Sequence, residues 1–184
     1  MIRIYKLLKF IMVKIVKGDL LNSNEEYIVQ QCNCLTVSSH GLSKSISDKY
    51  GKWADPYCQR KRIGKRNLAQ EQYRDKPGTI KILTSTPSDP KITTVQPNVV
   101  CIFGQWVPGV PGKYKTYPKW EIDNYENRLK WFEEALLSIP SDIKRLAFPY
   151  KIGCGLAGGN WNKYYKIIQK FEELSKCECI IYKL

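Results

Sequence analysis

The chain is 184 residues long, with 43% hydrophobic and 26% charged residues and a formal net charge of +13. That length and balance fit one globular domain with its own core, and no apolar run approaches the roughly 20 residues of a membrane span, so no membrane partner is expected. The positive excess either attracts polyanions or is a solvated lysine surface; lysines outnumber arginines, which argues against dedicated base reading, a task that favours arginine.

Residues 1–11 are basic and apolar, with too short an apolar stretch for a signal peptide. They read as an N-terminal extension to a single domain over 12–184, which opens naturally at Met12. Val13 to Val16 alternates apolar and polar residues, so it reads as a strand with one buried face. Gly18-Asp19-Leu20 follows at its end. Tyr27 to Cys34 is a second strand that turns polar at Gln31 and Asn33. After a turn over Thr36 to His40, a helix begins at Gly41-Leu42, with Leu42, Ile46 and Tyr50 on one face.

Residues 51–78 are mixed and basic, and the run Arg60 to Arg66 reads as an exposed charged face or a polyanion patch. Thr79 to Leu83 is a strand, and Thr84 to Gln96 an extended, proline-containing loop. Val99 to Phe103 is wholly apolar and predicts a central buried strand. Val107 to Trp120 holds Pro108, Gly109, Pro111, Gly112 and Pro118; an aperiodic loop of this length reads as a functional lid. Glu121 to Ile139 predicts one amphipathic helix, Leu146 to Phe148 a buried strand, and Asn160 onward a helix with Trp161, Tyr164, Ile168 and Phe171 on one face. Glu178 to Lys183 is the closing strand. Strands that alternate with helices predict an α/β, three-layer α/β/α fold with a mixed, largely parallel central sheet.

The most informative stretch is Pro149 to Trp161, PYKIGCGLAGGNW, with glycines at 153, 155, 158 and 159 between a strand and a helix. A glycine-rich turn there lets backbone N–H groups close on an anion, at the place where open α/β sheets bind ligands. The alternative is a turn that needs glycine only for its backbone angles. The spacing fits neither G-x-G-x-x-G nor a Walker A loop.

Seven cysteines, an odd number with several inside apolar runs, point to reduced thiols and an intracellular, cytoplasmic setting, the nucleus included. Cys32/Cys34 and Cys177/Cys179 lack the two-residue spacer of zinc knuckles, and His40 is the sole histidine, so no metal or other cofactor is expected.

Taken together, Gly18-Asp19-Leu20, the Gln31-to-Ser43 segment QCNCLTVSSHGLS, the Gly153-to-Trp161 loop and the terminal Ile181-Tyr182-Lys183-Leu184 resemble a macro domain, over roughly Val13 to Leu184 with insertions near 56–76 and 86–96. The resemblance is to the phage- and virus-type branch related to ADP-ribose-1''-phosphate phosphatases. It implies that Asp19 and Leu20 hold the adenine and that Tyr182 flanks it. It implies that Asn33 and His40 orient the distal ribose and a water, with Gly41 beside them. It also implies that Gly153, Cys154, Gly155, Leu156 and Ala157 hold the diphosphate. The expected partner is ADP-ribose or its 1''-phosphate, or an ADP-ribosylated protein or nucleic acid, bound by a monomer that hydrolyses the derivative. A non-catalytic reader of ADP-ribose or poly(ADP-ribose), and a basic nucleic-acid-binding module, are the alternatives.

The residues leave local alternatives open. Asp19 also serves as a turn cap, Asn33 as an Asx turn, Tyr182 as core packing and His40 as an exposed loop histidine or one that hydrogen-bonds the backbone. Cys154 in an N–H-rich loop is either a thiolate or a buried inert thiol. Two departures matter. Ala157 stands where some de-ADP-ribosylating relatives place an aspartate to work with a lysine, for which Lys113, Lys115 and Lys119 are the lid candidates. Ser38-Ser39-His40-Gly41 replaces the three-glycine run of others.

Overall fold

The computed structural model describes residues 13–85 and 96–184. Residues 1–11, expected to be an extension, and most of the loop over Thr84 to Gln96 lie outside them. Among the described residues, six strands form one sheet: β1 (Lys14–Lys17), β2 (Tyr27–Asn33), β3 (Ile80–Leu83), β4 (Asn98–Gln105), β5 (Arg145–Pro149) and β6 (Glu178–Lys183), in the order β1-β6-β5-β2-β4-β3. All neighbours are parallel except β3, which pairs antiparallel with β4 at one edge. The expected mixed, largely parallel sheet is what forms.

Three helices cover it: α1 (Leu42–Tyr50), α2 (Tyr125–Leu137) and α3 (Trp161–Ser175). The period of two along each strand sorts the core onto two faces. Val29, Val100, Ile102, Leu146, Phe148, Cys179 and Ile181 meet Phe132, Leu136, Tyr164, Ile168 and Phe171 from α2 and α3. Ile28, Cys32, Val99, Cys101, Phe103 and Ala147 meet Ile46 of α1 together with Tyr57 and Leu68. Strands apolar on both faces are the mark of a sheet buried between helix layers, hence the three layers.

Some boundaries shift for local reasons. The apolar run over 99–103 is fully buried, but its strand is second from the edge, because β3 flanks it. The helix expected from Glu121 is split: Trp120–Ile122 is a single 3-10 turn, and Asn124 starts α2 by accepting from the N–H of Asn127 at 2.8 Å, a cap that outcompetes continuation of the turn. On edge strand β1, Ile15 is 48% exposed, so alternation there buries less than expected. Arg60, read within an exposed charge run, is buried. The β2–β4 register slips between Gln31 and Asn33, where Gln31 faces Ile102 but Asn33 faces Gln105. Such an irregularity re-aims side chains at a sheet end, here the end that forms the cleft.

Candidate functional site

The carboxyl ends of β2, β4 and β5 open into a cleft of about 760 Å³. Its first wall is the turn after β2. Asn33 is buried there, and its side chain is spent on the turn itself. Its Oδ1 accepts from the N–H groups of Leu35 (3.0 Å) and Thr36 (2.8 Å), and its Nδ2 donates to Thr36 Oγ1 at 2.9 Å. Asn33 therefore sets the Asx turn that launches the chain toward α1, rather than offering a free amide. Arg60 locks the same turn from behind. Its guanidinium donates to the carbonyls of Thr36 and Asn33, pairs with Asp75 at 2.6 Å, and lies 4.8 Å from the Tyr57 ring centroid. Tyr57 in turn accepts from the N–H of Asn33 at 3.1 Å.

The turn ends at Gly41, the N-cap of α1, which supplies no side-chain cap. The first-turn N–H groups of α1, beside Gly41, Leu42 and Ser43 on the cleft, thus form a partial positive charge facing into it.

The opposite wall is the glycine loop. Gly153 has φ of +72°, and a Cβ there would fall 2.5 Å from Tyr164 and 2.6 Å from Gln31 Oε1. This position accepts only glycine. The loop folds back on itself through Cys154 N–H to Lys151 O (2.9 Å), Gly158 N–H to Gly155 O (3.0 Å) and Gly159 N–H to Gly153 O (3.0 Å). Among the described residues, no backbone carbonyl accepts from the N–H groups of Gly155, Leu156 or Ala157. Three successive amides are thus left without a backbone carbonyl partner. Leu156, 74% exposed, reaches across to within 3.6 Å of where a Cβ on Gly41 would stand, so the glycine loop and the start of α1 lie side by side on the cleft.

The third wall is the loop over Val107 to Trp120, which contributes Pro108, Gly109, Lys113, Tyr114 and Tyr117. Arg128 of α2, almost wholly buried, ties it down. It donates to the carbonyls of Val107, Gly109 and Ala157, at 3.2, 2.7 and 3.1 Å, and pairs with Asp123. Asp123 also accepts from the N–H of Val107 at 2.6 Å. One buried ion pair therefore joins the lid to the glycine loop.

Of the expected site residues, the cleft gathers Asn33, His40, Gly41, Gly153, Gly155, Leu156 and Ala157. His40 is exposed, with Nδ1 3.3 Å from Ser38 O. Cys154 does not line the cleft. Its Sγ turns toward Ile152 O, and burial, only partly opposed by Lys151, pushes its thiol up to about 11, in keeping with the inert-thiol alternative. Asp19, Leu20 and Tyr182 also lie off the lining. Asp19 caps the turn Leu20–Asn22 by accepting from Leu21 N–H at 2.9 Å, and Leu20 is core. Tyr182 donates to Glu25 at 2.7 Å, and burial first, then that carboxylate, pushes its phenol up to about 12. These three sit next door, since Tyr150 on the cleft donates its N–H to Tyr182 O at 2.8 Å. Of the lid lysines only Lys113 lines the cleft; Lys115 lies over Trp120, 5.2 Å from its ring centroid.

Sequence reasoning missed Arg60, Arg128, Tyr57, Tyr150 and the Gln31–Gln105 pair (3.0 Å). Arg128 had a signal: it precedes Phe132 by four residues, on the apolar stripe of α2. Among the described residues, the cleft lining contains Lys113, Lys151 and His40 but no aspartate or glutamate. No group of three or more His, Cys, Asp or Glu among the described residues could hold a metal ion.

No family model and no curated protein matches the sequence. Solved structures do match. The macrodomain of Mycobacterium tuberculosis DarG superposes with a TM-score of 0.63 at 15% identity, over 94% of this chain and 98% of that one. The macrodomain of Thermus aquaticus DarG gives 0.58 at 16% identity over the same shares, and the IBV X-domain 0.50 at 16% over 96% and 92%. The architecture is that of the macrodomains.

Proposed function

We propose that the protein binds ADP-ribose, or a molecule that carries it, in the cleft. The observation that carries this reading is that two sets of backbone amides without carbonyl or side-chain partners, the loop 155–157 and the uncapped α1 N-terminus, border one macrodomain-like cleft with no carboxylate among its described lining residues. A diphosphate between them receives charge-assisted hydrogen bonds without a metal or a dedicated arginine. The adenine lies at the Tyr150 end. Asp19 retains accepting capacity there, because a carboxylate offers more lone pairs than its cap uses. The distal ribose lies toward His40. The DarG and X-domain structures support the reading through their fold.

Hydrolysis of an ADP-ribose derivative is the second reading, and His40 on the cleft is the observation that favours it. ADP-ribose-1''-phosphate is the first candidate, followed by ADP-ribosylated protein or nucleic acid. Asn33 acts as a positioning residue in this scheme, because its amide is committed to the turn. Calorimetry with ADP-ribose tests the binding reading, and absence of binding would overturn it. Phosphate release from ADP-ribose-1''-phosphate tests the second reading. A general acid or base contributes about 10²- to 10⁴-fold, so His40→Ala is expected to lose at least about 10²-fold. Turnover retained by that variant removes His40 from the mechanism, and no turnover by the wild type leaves a reader.

A further inference from the structure

A second cavity, of about 280 Å³, lies where the first turns of α2 and α3 meet the glycine loop. It shares no lining residue with the cleft. Gly153, Gly155, Leu156 and Ala157 border the cleft, whereas Gly158 and Gly159 border this cavity.

Its surfaces differ in chemistry. Tyr164, 1% exposed, and half-buried Leu129 supply apolar contact. From α2 come the carboxylate of Glu126 and the ring of Tyr125; from α3 comes the ammonium of Lys163. Tyr125 reaches the loop, its hydroxyl lying 3.2 Å from where a Cβ on Gly158 would stand, and so closes one side. Glu126 and Lys163 line the same cavity without pairing with each other, and among the described residues neither has another ion-pair partner.

An occupant of this cavity displaces water from both charges. A molecule with a single charge leaves the opposite charge partly desolvated and unpaired, which is costly. A molecule with an ammonium, a carboxylate and an apolar side chain meets all three surfaces at once. The volume lies just below the range of drug-sized ligand sites, so the occupant is small. Those requirements describe a free amino acid.

We infer that this cavity binds a free α-amino acid with an apolar side chain, its carboxylate on Lys163, its ammonium on Glu126 and its side chain against Leu129 and Tyr164. The site is separate from the cleft and does not depend on ADP-ribose binding.

The test is a titration of the whole ¹⁵N-labelled chain with L-leucine, followed by two-dimensional NMR in the presence and absence of ADP-ribose. The amides of Gly158, Gly159 and Lys163 are expected to shift saturably in both. The expected dissociation constant is about 10 mM or tighter, the floor for a ligand of nine non-hydrogen atoms. Isoamylamine, which lacks the carboxylate, and isocaproate, which lacks the ammonium, are each expected to bind about fivefold more weakly or worse, the upper end of an exposed ion pair. Glu126→Gln is expected to weaken leucine and isoamylamine by a similar factor and to spare isocaproate. Lys163→Gln is expected to weaken leucine and isocaproate and to spare isoamylamine. A general loss of structure cannot produce that crossed pattern. Absence of saturable shifts, or equal affinity for the three compounds, would overturn the inference. Shifts confined to residues 153–157 and abolished by ADP-ribose would place leucine in the cleft and also overturn it. Binding of N-acetyl-leucine amide as tightly as leucine would make the cavity a dent for a protein side chain and overturn the amino-acid assignment.

Discussion

Replacing Arg128 with methionine tests whether the cleft is held open by its buried ion pair. Methionine keeps much of the side-chain length but removes every donor. The three carbonyls of Val107, Gly109 and Ala157 lose their shared partner, and Asp123, also buried, is left with one hydrogen bond from Val107 N–H. Stranding one member of a buried pair costs about 3–5 kcal/mol. For a domain of this size, each kcal/mol corresponds to roughly 2–4 °C in melting temperature, so Arg128→Met is expected to melt roughly 6–20 °C below the wild type. Adding Asp123→Asn removes the stranded charge while keeping an acceptor for Val107 N–H, and the double variant is expected to recover about half of the loss. Arg128→Lys recovers little, because an ammonium cannot reproduce the fork that reaches three carbonyls and a carboxylate at once. Urea denaturation measures the stability, and calorimetry with ADP-ribose measures the cleft. Because Arg128 spans lid and glycine loop, affinity falls in Arg128→Met even well below its melting temperature. A loss under about 1 kcal/mol, the range of an exposed pair, would refute the account of how these walls are held.

Other outcomes follow from the same geometry. Gly153→Ala combines a left-handed backbone with a methyl 2.5 Å from Tyr164; strain and overpacking together cost about 2–5 kcal/mol, which a thermal melt resolves. Asn33→Ala leaves the buried N–H groups of Leu35 and Thr36 unpaired, at about 1–3 kcal/mol each, whereas Asn33→Asp keeps both acceptor contacts and loses much less. Cys154, with its thiol raised to about 11, holds its proton at pH 8. Its thiolate fraction there is about one in a thousand. Iodoacetamide at pH 8, read by peptide mass spectrometry, therefore modifies exposed Cys58 first, and the labelling of Cys154 rises only as pH climbs toward 11.

Most of the fold was legible because each strand and helix carries its own period. The two-sided apolar runs of β4 and β5, the stripe of α3 and the glycine-rich turn before it all stand where the pattern puts them. The start of α2 was not legible, because Asp123 is drawn away by Arg128 and Asn124 caps in its place, a contest decided by tertiary contacts. The glycine-rich turn over 153–159 was readable from glycine spacing and Gly41 from the resemblance, and both line the cleft. Asp19, Leu20 and Tyr182, which the resemblance placed at an adenine, stand at the neighbouring strand ends instead of on the cleft lining. Arg60 looked like one of five cations in a solvated run; only the packing of the 56–76 segment onto β2 shows that it is buried beneath the Asn33 turn. Burial of a charge is a long-range property, and no local pattern announces it.

The proposed function rests on the amides of residues 155–157, on the same cleft as the α1 N-terminus, holding the phosphates of ADP-ribose. A Cβ on Gly155 meets nothing within 4 Å, so Gly155→Val adds bulk in open space beside those amides without a clash in the fold. Titration calorimetry of ADP-ribose into the wild type and Gly155→Val, with melting curves of both, tests it most directly. The account predicts one site in the wild type and at least a tenfold weaker one in Gly155→Val, about 1.4 kcal/mol or more, at an unchanged melting temperature. Equal affinity in the two proteins, or no binding by the wild type, would contradict it.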